Sequence, residues 1–314
     1  MRSALEEIPK QFAEGFALAR HAGFSGASNA VIAGMGGSSL HAEIINELSP
    51  ELPLVAHRDY GLPDFADENT LVLATSYSGN TEETIDALRE ALRRRCKTIV
   101  VTNGGRMLEI ARRENLQVVQ IPQVIQPRCA TGYFFSSTLQ VLHNCGLAPD
   151  ITRQVSELSL LLLDVDVKKA QALAKKLKNK IPVIYASQKF VPVARISKIK
   201  FNENSKVPCF YNAFPELNHN EMVGFTRPLA KFHFLFLQDE SDNPRVKKRM
   251  QVMKKMMEGK KMPAALLQLK GNGFLEKTFR MLYFFDWVSY FLALEYGVDP
   301  SPVEMVERFK KALE

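Results

Sequence analysis

The sequence predicts an α/β protein of two domains, each a doubly wound parallel sheet with helices on both faces. Three observations predict it. At 314 residues the chain is long for one core and suits two domains of about 150 residues. Short apolar runs alternate with helix-period stretches, as strands do in a parallel sheet covered on both sides. That alternation restarts after the break GLAPD at 146–150, so the domains are placed at 1–150 and 151–314.

In order, the first half offers strands NAVIAG at 29–34, TLVLATS at 70–76, KTIVVTN at 97–103 and QVVQIP at 117–122. Between and after them lie helices at 81–95, 106–114 and 130–145, where apolar residues recur at helical spacing. The second half offers a helical region, then strands KIPVIYAS at 180–187, KFHFLFLQD at 231–239 and ALLQLK at 265–270. It ends on helices at 273–295 and 302–313, separated by the turn YGVDPSP.

Composition bounds the function classes. Hydrophobic residues make up 46% and charged residues 24% of the chain, enough apolar surface for packed cores and too much for a disordered one. The net charge of +7 raises the question of nucleic acid, but the eight basic residues between Arg245 and Lys261, set against Glu258 alone, carry an excess equal to all of it. Met250, Met253, Met256 and Met257 recur within that run, so it reads as an amphipathic helix with a Met-lined core face and a solvated basic face. No nucleic-acid partner is expected. Cys96, Cys129, Cys145 and Cys209 have neither zinc spacing nor the density of a disulfide scaffold, which points to a reducing compartment. The start MRSALEEIPK lacks a signal-peptide core, and no apolar run approaches the roughly 20 residues that span a bilayer. A cytoplasmic protein without membrane contact is expected.

Two segments could carry chemistry. The first is Gly34-Met35-Gly36-Gly37-Ser38-Ser39, at the end of a predicted strand and the start of a predicted helix. Glycines let the backbone turn tightly against a ligand, and helix N-terminal amides favour an anion. A tight turn with no ligand is the plainer alternative, since the segment has neither dinucleotide-type glycine spacing nor the lysine of a nucleotide P-loop. The second is Ser76-Tyr77-Ser78-Gly79-Asn80-Thr81-Glu82-Glu83-Thr84, again between strand and helix. Ser76, Ser78 and Thr81 offer three hydroxyls beside helix-start amides, which suits a phosphate bound without metal; ordinary helix capping is the alternative. In doubly wound sheets ligands sit at the carboxyl ends of strands, where both segments would converge.

GMGGSS, TSYSGNTEET, QPRCATGY, FNENSK, PELNHNE and the ending GVDPSPVEMVERFKKAL together resemble the bifunctional phosphoglucose/phosphomannose isomerase family. The similarity runs over nearly the whole chain in the family's order. SYSGNTEET alone would mark only a sugar-isomerase (SIS) domain, a module also found in regulators and amidotransferases; FNENSK and PELNHNE point to the isomerase. The resemblance implies two flavodoxin-like SIS domains, a homodimer, and interconversion of glucose 6-phosphate, and mannose 6-phosphate as well, with fructose 6-phosphate through a cis-enediolate, with no metal or cofactor.

It also implies roles. Gly37, Ser38, Ser76, Ser78 and Thr81 match phosphate-binding positions, Glu203 the proton-shuttling base, and His219 the ring-opening residue, reaching the site of the neighbouring subunit. Arg128 matches an arginine beside the reacting carbons and Lys310 a C-terminal lysine near the ring oxygen. Each role suits its residue type. A carboxylate can take a proton from C2 and return it at C1, and an imidazole can move one between ring oxygen and hydroxyl. A fixed cation stabilises an enediolate oxygen, a contribution of about 3 kcal/mol for a single such donor. Glucose and mannose differ only at C2, so deprotonation there removes the distinction. By residue type alone nothing selects Glu203 among the acids, and a lone His is more often a surface or capping residue; His21, His57, His143 and His233 stay in that class. No His and carboxylate spacing suits a metal.

Three positions depart from the family's pattern. His41 and Glu43 stand where small residues are usual, read here as helix packing with a narrowed site mouth as the alternative, and Ser301 stands where Thr is common, which bears on epimer tolerance. A non-catalytic sugar-phosphate-binding regulator and an isomerase of another phosphosugar are the competing functions. A DNA-binding regulator would need a helix-turn-helix extension, for which the first thirty residues are too few.

Overall fold

Residues 1–313 are described by a computed structural model, in which Ser3–Leu163 forms one compact unit and residues from Asp164 on, with Met1 and Arg2, form another. Each unit is built on its own parallel sheet.

The first unit holds all but the first residue of helix α1 (Arg2–Glu6), then α2 (Ile8–Leu18), β1 (Asn29–Gly34), α3 (Leu40–Leu48), β2 (Leu54–His57), β3 (Thr70–Ser76) and α4 (Glu82–Arg93). β4 (Lys97–Thr102), α5 (Gly105–Arg113), β5 (Gln117–Gln120), α6 (Thr131–Asn144) and α7 (Thr152–Leu161) complete it. The strands lie in the order β2-β1-β3-β4-β5, all parallel. Successive strand residues face opposite sides of a sheet. On one side, Val31, Ala33 and Val72 pack with Ala87 and Ala91 of α4, while Ala74 and Val100 pack with Leu88 of α4 and Met107 and Ala111 of α5. The alternate residues Ala30, Ile32, Leu71, Leu73, Ile99 and Val101 are equally buried, so the central strands have no polar face and read as continuous apolar runs. The compact unit runs past the break at 146–150 because α7 buries Val155 and Leu158 and packs on α2.

The second unit contains α8 (Val167–Leu177), β6 (Ile181–Ser187), α9 (Val191–Lys200), a π-helical turn at Phe201–Ser205 and β7 (Phe210–Phe214). It continues through β8 (Phe232–Gln238), α10 (Pro244–Gly259), β9 (Ala264–Gln268), α11 (Gly273–Tyr296) and α12 (Glu304–Leu313). Its order, β7-β6-β8-β9, repeats that of the first four strands of the first unit. Tyr185, Phe214, Phe234 and Phe236 form an aromatic core with Met250, Met253 and Met257 of α10. The expected Met stripe on this basic helix is therefore present but narrower. Met256 is 45% exposed, because one residue is about 100° of helical rotation and it falls off the face that Met253 and Met257 share.

The parallel α/β architecture follows the expectation; two strands were not foreseen. β2 and β7 occupy the same place in their sheets, the edge beside the first strand, and each pairs on one side only. Both are short, and neither is buried throughout, so neither has the apolar run that marked the others. All four cysteines are buried, and none forms a disulfide among the described residues. Among the described residues no helix is long and apolar enough to cross a membrane.

His233 on β8 is 6% exposed, and burial, reinforced by the Lys180 charge, pulls its pKa down to about 4. The unfolded chain, with His near 6.5, then binds more protons than the folded one, so this site's stability is complete above pH 6.5 and lost as pH falls toward 4. Between pH 6.5 and 5 the loss should be about 2 kcal/mol. Trp287, the single tryptophan, lies in α11 of the same unit, so its fluorescence during urea unfolding reports this directly. His233→Gln should flatten the pH dependence by that amount; an unchanged slope would contradict the assignment.

Candidate active site

In the first unit β1 and β3 are neighbours although β2 lies between them in sequence, and the chain leaves their carboxyl ends toward α3 and α4. This is the point where strand order reverses, the usual ligand position in such sheets. Both hydroxyl-rich segments are there.

The first forms a short 3₁₀ turn, Gly36–Ser38, and Gly36 has a φ of +49°, which a side chain would strain. A Cβ on Gly37 would stand 3.0 Å from the Arg128 amide nitrogen and 3.1 Å from the Pro127 carbonyl carbon. Gly37 is thus what lets the Pro127–Cys129 turn, and buried Arg128 with it, approach the first segment. Arg128 donates from its guanidinium to Gln126 Oε1 at 3.4 Å. That turn is fixed from far away in sequence: Gln11 of α2 donates to the Cys129 carbonyl at 2.7 Å and accepts from the Gly132 amide at 3.2 Å.

In the second segment, the hydroxyls of Ser76 and Thr81 are 2.8 Å apart and hydrogen-bonded, and the Gly79 amide donates to Ser76 Oγ at 3.1 Å. Thr81 is the N-cap residue of α4 but its side chain makes no cap, so ordinary capping does not account for it. The exposed Ser78 accepts from the Asn80 amide at 3.2 Å. The Tyr77 amide donates to Ser38 Oγ at 2.9 Å and joins the two segments. Ser38, Ser76, Ser78, Thr81, Gly37 and Arg128 are therefore gathered around the ends of adjacent strands.

A third turn supports the second one. Gly79 and Gly105 both have positive φ, and a Cβ on either would run into the other turn's backbone, at Gly104 O and Ser78 O respectively. Asn80 Oδ1 accepts from the Arg106 amide at 2.9 Å, and Thr102 Oγ1 donates to Gly104 O at 2.9 Å. These residues escaped sequence reasoning, although the Gly104-Gly105 pair after a strand was a visible turn signal.

The departures at 41 and 43 find local partners. His41 is fully buried, stacks on Phe134, and shares a 3.0 Å hydrogen bond with Thr138 Oγ1. Burial first, and the Arg58 charge second, bring its pKa down to about 3, so it is a neutral packing residue of α3. Glu43 pairs with Arg58 at 2.9 Å.

Glu203, His219 and Lys310 lie in the second unit on three separate elements. Glu203 is half-buried in the π turn, a wide-wound geometry frequent at functional sites. α11 holds this turn: Asn204 Nδ2 donates to Ser289 Oγ at 2.9 Å and Ser205 Oγ to the Ser289 carbonyl at 2.7 Å. Just ahead of it, Lys200 and Asp286 form a fully buried ion pair. Lys206, at a left-handed φ of +59°, ends the turn, and its ammonium donates to the carbonyls of Glu203 and Pro302. The π turn is thereby tied to the segment that leads into α12.

His219 is exposed at the end of a 3₁₀ turn, Glu216–His219. The loop beyond it is anchored by Glu221, whose carboxylate accepts from Tyr185 Oη and Asn212 Nδ2; burial, then this carboxylate, pushes the Tyr185 pKa up. Lys310 is exposed on α12 and donates to Glu307 at 3.2 Å. Among the described residues no three His, Cys, Asp or Glu side chains are grouped as a metal site.

The family model for the bacterial phospho-glucose isomerase C-terminal SIS domain matches residues 166–313. The bifunctional phosphoglucose/phosphomannose isomerase of Aquifex aeolicus is 35% identical over 90% of this chain and 89% of its own. That of Caldicellulosiruptor bescii is also 35% identical, over 98% of this chain and 96% of its own. The C-terminal domain of glucosamine-fructose-6-phosphate aminotransferase from Francisella tularensis superposes with a TM-score of 0.70 over 96% of this chain and 97% of that one, at 14% identity, a likeness of fold alone. With relatives of that identity matched along almost its full length, the chain belongs to the bifunctional phosphoglucose/phosphomannose isomerase family.

Proposed function

We propose that this chain interconverts glucose 6-phosphate, and mannose 6-phosphate as well, with fructose 6-phosphate through a cis-enediolate. The observation that carries the reading is the pair of hydroxyl-rich turns joined at the ends of β1 and β3, in a chain whose relatives bear that activity in their names. Ser38, Ser76, Ser78, Thr81 and the backbone at Gly37 hold the phosphate, which anchors the sugar without taking part in bond changes. Glu203 takes the proton from C2 of the aldose and returns it at C1. Arg128 supplies positive charge for the enediolate oxygen that develops between those steps. His219 opens the ring by moving a proton from the C1 hydroxyl to the ring oxygen, and Lys310 steadies that oxygen. None of these steps calls for a metal or cofactor, and the enzyme works in the cytoplasm.

The working form is a homodimer in which His219 serves the neighbour's site; its exposure on its own chain supports this.

Glu203→Gln keeps size and polarity but removes the base. In metal-stripped protein with EDTA present, wild type should turn over fructose 6-phosphate at full rate, and the variant should be slower by at least about a hundred-fold while still binding it. Near-normal turnover by the variant, or loss of wild-type activity in EDTA, would contradict the mechanism; binding without turnover of any phosphosugar by wild type would favour a regulator.

Subunit mixing tests the shared site. Glu203→Gln and His219→Ala homodimers should both be nearly inactive, whereas random reassortment should restore about a quarter of wild-type activity, since half the dimers are mixed and each has one intact site. If exchange is verified and activity stays at parental level, His219 serves its own chain.

A further inference from the structure

The segment His57–Gly61 after β2 touches the helices of both phosphate turns while belonging to neither. Arg58 Nε donates to Ser39 Oγ at 3.1 Å, one terminal nitrogen donates to the Ser39 carbonyl at 3.3 Å, and the other pairs with Glu43 at 2.9 Å. Ser39 follows Ser38 directly and is fully buried, and its hydroxyl points back to the Gly36 carbonyl at 3.5 Å. Arg58 thus grips the first turn at the residue where it becomes α3. Three residues on, the Gly61 amide donates to Asp86 of α4 at 2.8 Å. One short stretch of chain therefore reaches from the start of α3 to α4, the helices that follow the two turns.

We infer that Arg58 is a positioning residue for the phosphate cradle, holding the Gly36–Ser39 turn at the spacing from the Ser76–Thr81 turn that one phosphate requires. This rests on the reading of those turns as the phosphate site. The Arg58 charge is already paired with Glu43, each side chain 23% exposed, so its field on an anion is largely cancelled. What remains is a planar fork delivering three donors in fixed directions to Ser39 and Glu43, which an ammonium on a flexible stem cannot reproduce. Between the turns, the Tyr77 to Ser38 hydrogen bond fixes a distance but leaves rotation of the first turn open.

The test compares Arg58→Lys, Arg58→Ala, Glu43→Gln and Ser78→Ala in the full chain, reading kcat and KM for fructose 6-phosphate and the inhibition constant of inorganic phosphate. Positioning predicts that Arg58→Lys, although it keeps the charge, behaves like Arg58→Ala: KM and the phosphate inhibition constant both rise about ten-fold, with kcat within about two-fold. Glu43→Gln, which still accepts from Arg58, should stay within about two-fold of wild type in all three. Wild-type behaviour of Arg58→Lys, or markedly tighter phosphate binding by Glu43→Gln, would make charge the operative property and overturn the inference. A fall in kcat with KM unchanged would overturn it too. Ser78→Ala separates the two levels: if it raises KM while the Arg58 variants do not, only the role of Arg58 fails, and if it too leaves phosphate binding untouched, the phosphate site itself is misplaced and the inference falls with it.

Discussion

The Tyr77 amide donates to the Ser38 hydroxyl across 2.9 Å, and much of the first unit is arranged so that this bond can form. Tyr77 and Ser38 follow strands that neighbour each other only because the chain lays β2 on one side of β1 and then returns to lay β3 on the other. A crossover of one hand is what a right-twisted strand and a right-handed helix permit, so the reversal leaves a crevice between two helix starts. Glycine at 37, and the positive φ at 36, 79 and 105, then allow three turns and the Pro127–Cys129 segment to crowd around it. The phosphate-binding reading follows from this crowding more than from any one hydroxyl.

The second unit repeats the strand order but uses it differently. The residues proposed to carry its chemistry are Glu203 on a π turn, His219 at a 3₁₀ turn and Lys310 on the last helix. Placement of Glu203 is set by α11 through Ser289 and by the buried Lys200–Asp286 pair. Such a pair is weak evidence for stability, because removing two charges from water offsets most of their attraction.

What the sequence made legible divides along the same physical line. Strands buried on both faces betrayed themselves as apolar runs, whereas β2 and β7, half-exposed edges four and five residues long, carried no such pattern. The two hydroxyl-rich turns could be placed at strand ends because glycine and hydroxyl residues cluster there after apolar runs. Long-range supports could not: Gln11 is 118 residues from its partner Cys129, and Asn204 is 85 from Ser289. Arg58 sits in an exposed-looking HRDYG stretch that only the fold places between two helix starts. Glu203 was identified by likeness to relatives alone, since FNENSK gives no sign of the π turn it forms.

In the proposed mechanism a protein-held base carries the proton between neighbouring carbons of a phosphate-anchored sugar. Its most direct test is to incubate fructose 6-phosphate with the wild-type protein in D2O and locate deuterium in the aldose product by NMR. A shuttled proton exchanges in part with solvent while it rests on the base, so partial deuterium at C2 is expected. Turnover with no deuterium at C2 would contradict it and indicate direct hydride transfer.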